Sequence, residues 1–236
     1  MVSIEKYTEK FWRDGFIHIE GFFDQALMNA FNDKIIKHFG MTPNFSHSEE
    51  FIEKSAVEVI PWFPQREGEK CFDAINNNIE LSALTTAILG KEWLEQYSMV
   101  MFSKKGTKGQ AWHQDCPPND PKKFNMNRLI YTMDIDEKNT GGQTLVMPGS
   151  HKQGVLPSTS SSFDETKAVI LSPKKGDLVL LHGHCFHKVN PVTGRYRVST
   201  NYRVAPKGTP DDITDIGIYR NMIYQFSTES VIQERT

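Results

Sequence analysis

The sequence predicts a mainly β fold: a double-stranded β-helix (a cupin-like jelly roll) with α-helices packed outside it. Three observations predict this. Helical periodicity is confined to the early part of the chain, about residues 1–95. From about residue 96 to 225 the chain breaks into short β-rich runs between turn signals, the pattern of a sandwich or barrel. No Gly/Ser or Pro linker, repeat or low-complexity tract divides the 236 residues, so a single domain over 1–236 is expected.

The elements follow in order. "DQALMNAFNDKIIKHFG" reads as one helix, with Asp24 as N-cap, Leu27, Phe31, Ile35 and Phe39 recurring every fourth residue, and Gly40 as the stop. "LSALTTAILG" reads as a second, with Leu81, Leu84, Ile88 and Leu89 inward and Gly90 at its end. The expected strands are "YSMVMFSKK", "NRLIYTMDI", "QTLVMPGS", "AVILS", "DLVLLHG" and "RYRVSTNYRV". "LPSTSSSFDETKA" is the one polar stretch long enough to be a mobile loop.

Composition excludes several classes. Hydrophobic residues make up 38% and charged residues 24%, so a core can be buried. The formal net charge of −2, with mixed signs, gives no electrostatic case for nucleic acid or an anionic membrane. No apolar run approaches the length that spans a bilayer, and "MVSIEKYTEKFWRDGF" has charges throughout and lacks the apolar stretch of a signal peptide. Cys71, Cys116 and Cys185 are far apart, with no CxxC, which reads as reduced thiols in a cytoplasmic protein.

The chemistry concentrates in "AWHQDCPPND". On a strand, residues i and i+2 share a face, so His113 and Asp115 would project side by side. An imidazole and a carboxylate on one face offer two ligands to a divalent metal, and a second histidine would complete a facial triad. A surface His/Asp pair ending a strand before a proline turn is the alternative. Trp112 and Gln114 would face the other way, Trp112 as packing.

Candidates for the second histidine lie in "GDLVLLHGHCFHKVNPVTGRYRVSTNYRV". His182 and His184 share a strand face by alternation, whereas His187 lies past the apolar run, at the end where the mouth of a sandwich would be. Ten residues after His187 comes Arg197, followed by Ser199, an RxS on the next strand. A guanidinium is a rigid fork matched to a carboxylate, and a hydroxyl adds a further donor. A metal triad with such an anchor across a hairpin suits a chelating dicarboxylate cosubstrate. Arg195 shares the strand face by alternation and competes with Arg197 for that role.

These segments resemble the phytanoyl-CoA dioxygenase family of Fe(II)/2-oxoglutarate oxygenases. The likeness opens at "FWRDGFIHIEGFF" and continues through four motifs in the family's order, "WHQD", "NTGGQTLVMPGSHKQG", "GDLVLLHGHCFH" and "RYRVS". The family's distal histidine falls about ten residues after the GD, which places it at His187, ten after Asp177. The resemblance implies Fe(II) held by His113, Asp115 and His187, with 2-oxoglutarate anchored by Arg197 and Ser199. O2 would be the other substrate and ascorbate a supporting reductant. It also implies oxidation of a small molecule, hydroxylation first and desaturation or ring closure as alternatives, with release of succinate and CO2. Halogenating relatives carry a small residue in place of Asp115, so halogenation is not expected. Tyr131 stands where some members place an aromatic against 2-oxoglutarate; a core aromatic on "RLIYTMDI" is the other reading.

The remaining histidines and the cavity mouth are read more simply. His182 and His184 are candidate hydrogen-bond partners of the ligands, His151 a structural residue of a turn, and Cys116 a buried inert thiol. The mouth is assigned to residues 46–70, to "CPPNDPKKFNMNR" and to the Ser-rich loop, offering Trp62, Phe63, Arg66, Lys122, Lys123, Asn125, Asn127 and Arg128 to a polar substrate with an acidic group. Two other classes compete. A zinc hydrolase can use the same ligands but has no need of a distant carboxylate anchor, and a metal-free binding module gains nothing from keeping five such groups.

Overall fold

The computed structural model describes residues 3–40, 59–156, 163–211 and 213, with the strands Tyr224–Phe226 and Val231–Glu234. Half of the Ser-rich loop (157–162) and residues 46–58 of the expected mouth lie outside the described residues.

The charged N-terminal stretch forms a helix that periodicity did not pick out. This is α1 (Ile4–Asp14), capped by Ser3 and ended by Gly15 in the left-handed region. The first expected helix is α2 (Gln25–Phe39), with the Asp24 carboxylate accepting from Leu27 N–H at 2.8 Å. Phe31, Ile35 and Phe39 are buried as expected; Met28 is buried with them, and Leu27 is only half-buried. After a single turn, α3 (Asp73–Asn76), comes α4 (Ile79–Leu89), which starts two residues before the expected helix because Asn78 caps it. Leu81, Leu84 and Ile88 point inward, and Leu89 is half-buried.

Ten strands form two antiparallel sheets. The larger has the order β1 (Phe16–Ile19), β8 (Leu178–His182), β5 (Met126–Ile130), β10 (Tyr196–Ala205), β3 (Leu94–Lys104), β2 (Ile60–Trp62). The smaller has the order β4 (Gln110–His113), β9 (His187–Val189), β6 (Thr144–Val146), β7 (Val169–Leu171). A separate hairpin joins β11 (Tyr224–Phe226) and β12 (Val231–Glu234). Thus β1 and β2, inside the stretch read as helical, extend the larger sheet at its two edges.

The larger sheet is buried on both faces, which explains the unbroken apolar run of β8. Leu178 and Leu180 pack under α1, α2 and α4 with Phe11, Met28, Phe31 and Phe102. Val179 and Leu181 face the other way, into a second cluster with Leu129, Tyr131, Val146 and Leu171 between the sheets. Each such side chain contributes roughly 2 kcal/mol of burial. Strand β10 alternates in the same way. Val198, Tyr202 and Val204 join the helix-side core, so Arg197, Ser199, Asn201 and Arg203 are turned toward the cavity between the sheets.

Asp177, at the head of β8, acts as a clamp. One carboxylate oxygen accepts from Gly21 N–H at 2.8 Å, and the other accepts from Lys174 N–H at 2.7 Å and lies 2.7 Å from His18 Nε2. The aspartate of the GD pair therefore ties the chain after β1 to the start of β8.

Candidate metal centre

Strands β4 and β9 are antiparallel neighbours, and His113 and His187 are paired directly across them. Their rings lie 4.1 Å apart between centroids. Asp115 reaches the same point by another route than simple alternation. Strand β4 ends at His113, and Asp115 sits in the turn after it, held where its backbone N–H donates to Gly183 O at 2.8 Å. His113, Asp115 and His187 are all buried, and one ligand atom from each lies within 4.8 Å of the others.

The surroundings prepare these atoms for a cation. His113 Nδ1 lies 2.8 Å from Ala111 O, and His187 Nδ1 lies 2.9 Å from Cys185 O. A carbonyl only accepts, so each Nδ1 carries a proton, and Nε2 is the nitrogen each ring can offer to a metal. Burial, with His187 next, pushes His113 down to about 3, so its imidazole is neutral at ordinary pH. Burial is also the largest influence on Asp115 and would raise it. Arg203, the two histidines and Asn127 together outweigh it and hold the carboxyl at about 2, hence ionised. Asn127 Nδ2 donates to Asp115 Oδ2, and Arg203 Nη2 lies 3.3 Å from Oδ1.

Across the cavity, β10 presents Arg197 and Ser199. Arg197 Nε donates to Gly142 O at 2.7 Å and Nη1 to Ser199 Oγ at 3.1 Å. Arg197 is 5% exposed and has no carboxylate partner among the described residues. Burial lowers its pKa, the mark of a charge removed from water. Gly142 has φ 67, and a Cβ there would come within 2.3 Å of Arg197 Cδ, so this glycine makes room for the guanidinium. Arg195 precedes the strand and is exposed, so alternation does not place the two arginines together. Tyr131 lies one residue past β5, fully buried in the inter-sheet core. Burial raises its hydroxyl pKa and the Arg197 charge pulls against that, which places Tyr131 near Arg197, though it does not line the cavity.

Other expectations are redirected. His182 and His184 are not partners of the ligands. His182 stacks on Phe124 at 3.7 Å between centroids and its Nδ1 accepts from His184 N–H at 3.1 Å, so both belong to an aromatic cluster beside Trp12 and His151. Among the described residues, the triad is instead supported by Ala111, Cys185, Asn127 and Arg203. His151 is structural, with Nε2 3.2 Å from Trp12 O. Gln114, for which the sequence offered no role, is buried and stitches three backbone groups. It donates to Gly154 O and His184 O and accepts from Leu156 N–H. Trp112 packs with Met147, Leu156 and Phe186, and Cys116 is a buried thiol pushed up to about 12.

Of the eight residues assigned to the mouth, only Asn127 lines this cavity. Trp62 is buried against His38, its ring stacked at 4.0 Å. Arg128 is buried on the helix side, bonded to Tyr202 O and Asn76. Asn125 is buried, and Lys122, Lys123 and Arg66 are exposed. Arg203 was missed, although its alternation with Arg197 along β10 was a usable signal.

The donor set fits iron: two imidazole nitrogens and an ionised carboxylate, buried at the wall of a cavity. Arg197, a buried cation without an acid among the described residues, fits the far carboxylate of a dicarboxylic acid.

Among solved structures, the chain resembles the epimerase SnoN in complex with Fe3+, alpha ketoglutarate and nogalamycin RO (TM-score 0.68, 14% identity, covering 92% of this chain and 95% of that one). It also resembles HygX from Streptomyces hygroscopicus with nickel and 2-oxoglutarate bound (TM-score 0.68, 16% identity, 88% of each chain). A third is the carbocyclase SnoK from nogalamycin biosynthesis (TM-score 0.63, 16% identity, 86% of this chain and 84% of that one). These likenesses establish the jelly-roll fold of such oxygenases. No curated protein matches the chain. The family model for phytanoyl-CoA dioxygenase matches residues 11–198, from α1 into β10, a span that includes the triad and Arg197. The chain belongs to the phytanoyl-CoA dioxygenase family of Fe(II)/2-oxoglutarate-dependent oxygenases.

Proposed function

We propose that this protein is an Fe(II)- and 2-oxoglutarate-dependent dioxygenase that hydroxylates an unactivated C–H bond of a small-molecule metabolite or natural-product intermediate. One observation carries the cosubstrate assignment: Arg197 is buried without an acid partner among the described residues, and it lines the same cavity as His113, Asp115 and His187. Iron with 2-oxoglutarate and O2 supplies the oxidising power to break an aliphatic C–H bond, one oxygen atom going to succinate and the other to the product, with loss of CO2. The chain's own residues do the rest. His113, Asp115 and His187 hold the cation on one side, and Arg197 with Ser199 takes the distal carboxylate. Asn127 and Arg203 fix the Asp115 carboxylate, and Met99, Met101, Leu129 and Val189 give the cavity an apolar wall.

Hydroxylation leads, and desaturation or ring closure is the second reading. The structural neighbours described as an epimerase and a carbocyclase favour keeping it, since those outcomes can begin from the same C–H cleavage. The ionised Asp115 occupies the ligand position that halogenation needs vacant. Three unpaired cysteines fit a cytoplasmic location, and no helix among the described residues is long and apolar enough to cross a membrane.

Calorimetric titration of the Mn(II)-loaded protein with 2-oxoglutarate tests the assignment. Saturable binding that Arg197→Ala weakens is expected. A metal-loaded protein with no affinity for 2-oxoglutarate would favour the hydrolase reading. Succinate release across a panel of small acidic and polar metabolites would then identify the substrate.

A further inference from the structure

Arg203 contributes a second buried cation to the metal centre, four residues past Ser199 on the same strand. It is 6% exposed. Its Nη2 lies 3.3 Å from Asp115 Oδ1, its Nε donates to Asn127 Oδ1 at 2.8 Å, and its Nη1 donates to Tyr97 Oη at 2.6 Å. A guanidinium stays charged even when buried. Among the described residues lining the cavity, the permanently charged groups are Asp115, Arg197 and Arg203, one carboxylate facing two guanidiniums.

We propose that Arg203 sets the charge of the metal centre, offsetting Asp115 so that a bare divalent cation is held weakly and the cation is held firmly only together with a dianionic cosubstrate. The cosubstrate half of this rests on the 2-oxoglutarate reading above. A two-histidine, one-carboxylate set ordinarily offers one negative charge to the ion. Here that charge is already matched, and Arg197 adds a further positive one. A divalent cation entering alone therefore meets, among the described lining residues, two guanidiniums against one carboxylate. A dianion entering with it returns the cavity to its starting charge. In a site screened from water such repulsion is large enough to change an affinity by about tenfold or more.

Charge and position are carried by different residues. Asn127 Nδ2 grips Asp115 Oδ2, and Asn127 is itself held by Asn201 Nδ2, which donates to Asn127 Oδ1 at 2.7 Å. The carboxylate thus keeps a hydrogen-bonded support when the guanidinium is removed. The two neighbours of one carboxylate should then have opposite effects on metal binding, which a purely structural role for Arg203 would not produce.

Mn(II) titrations followed by the EPR signal of the free ion test this, with thermal midpoints recorded for every variant. Arg203→Gln should bind Mn(II) alone about tenfold tighter than the wild type. Its further gain on adding 2-oxoglutarate should be smaller. Arg203→Lys, which keeps the charge, should stay near the wild-type affinity, and Asn127→Ala should bind about tenfold more weakly. Arg203→Met, which removes the charge with a side chain suited to burial, replaces the glutamine variant if that does not fold. Unchanged or weaker Mn(II) binding in a folded charge-removing variant would overturn the proposal while leaving the metal centre intact. Mn(II) binding that survived His187→Ala would instead overturn the metal centre, and this proposal with it.

Discussion

His113 and His187 are direct cross-strand partners of β4 and β9, each with Nδ1 turned to a carbonyl two residues back along its own strand or turn. Sheet register, rather than a flexible loop, sets the spacing of the two imidazoles. Replacing either by alanine, or Asp115 by alanine, removes one of three ligands from a site built for all three. Metal affinity should fall by more than the roughly ten- to hundredfold that loss of an outer partner costs. Turnover should be abolished; the thermal midpoint of the metal-free protein should change little in the histidine variants and should fall in Asp115→Ala, which leaves the Arg203 guanidinium buried without that carboxylate. Metal content after dialysis, measured beside circular dichroism, checks this.

Arg197 and Arg195 differ in burial, and their variants should differ in kind. Charge-assisted hydrogen bonds contribute about 1.5–3 kcal/mol each. Arg197→Ala should therefore raise the KM for 2-oxoglutarate by about ten- to a hundredfold with a smaller effect on metal binding. Arg195→Ala, on an exposed residue outside the cavity, should leave it unchanged. The reverse pattern would show that the wrong arginine has been assigned.

Gly142 bears on the same anchor. A Cβ at this position would lie 2.3 Å from Arg197 Cδ, on a backbone with φ 67. Gly142→Ala should destabilise the fold by about 1–3 kcal/mol. It should also weaken 2-oxoglutarate binding by displacing the guanidinium, while Mn(II) binding at the triad persists. Urea denaturation and the two titrations separate these effects.

Acidification should destabilise the protein through buried neutral histidines. Burial lowers His184 to about 4 and His182 well below its ordinary value. In the unfolded chain both take up protons near pH 6.5, whereas the folded state resists. Stability is thus fully present above about pH 6.5 and is lost as pH falls from there toward 4. Urea midpoints should drop between pH 7 and pH 5, and His182→Phe, if it folds, should flatten the slope. A stability independent of pH across that range would contradict the burial of these rings.

The site was more legible in the sequence than the fold that carries it. His113 and Asp115 stand out by their i, i+2 spacing and Arg197 by its RxS, the family resemblance picks out His187 from three candidates, and the structure brings all four around one cavity. Four of the elements that were not legible show why. Strand β1 is four residues long and gains its identity from pairing with β8, some 160 residues away. Strands β2 and β9 have three residues each, too few for alternation to register, and α1 sits in a stretch where charges mask its buried Phe11. Period-two reasoning also failed at strand ends. Asp115, His184 and Arg195 all lie just beyond a strand, where turns and not pleats aim the side chains. Asn127 and Arg203 were invisible as partners of Asp115 because their contacts cross between elements distant in sequence.

The central claim is that one cavity binds Fe(II) at His113, Asp115 and His187 and chelates 2-oxoglutarate against Arg197. Anaerobic difference absorbance of the Fe(II)-loaded protein on adding 2-oxoglutarate tests it most directly. A weak visible charge-transfer band is predicted, lost in His187→Ala and requiring more 2-oxoglutarate in Arg197→Ala. Iron demonstrably bound, with no band at saturating 2-oxoglutarate, would contradict the account.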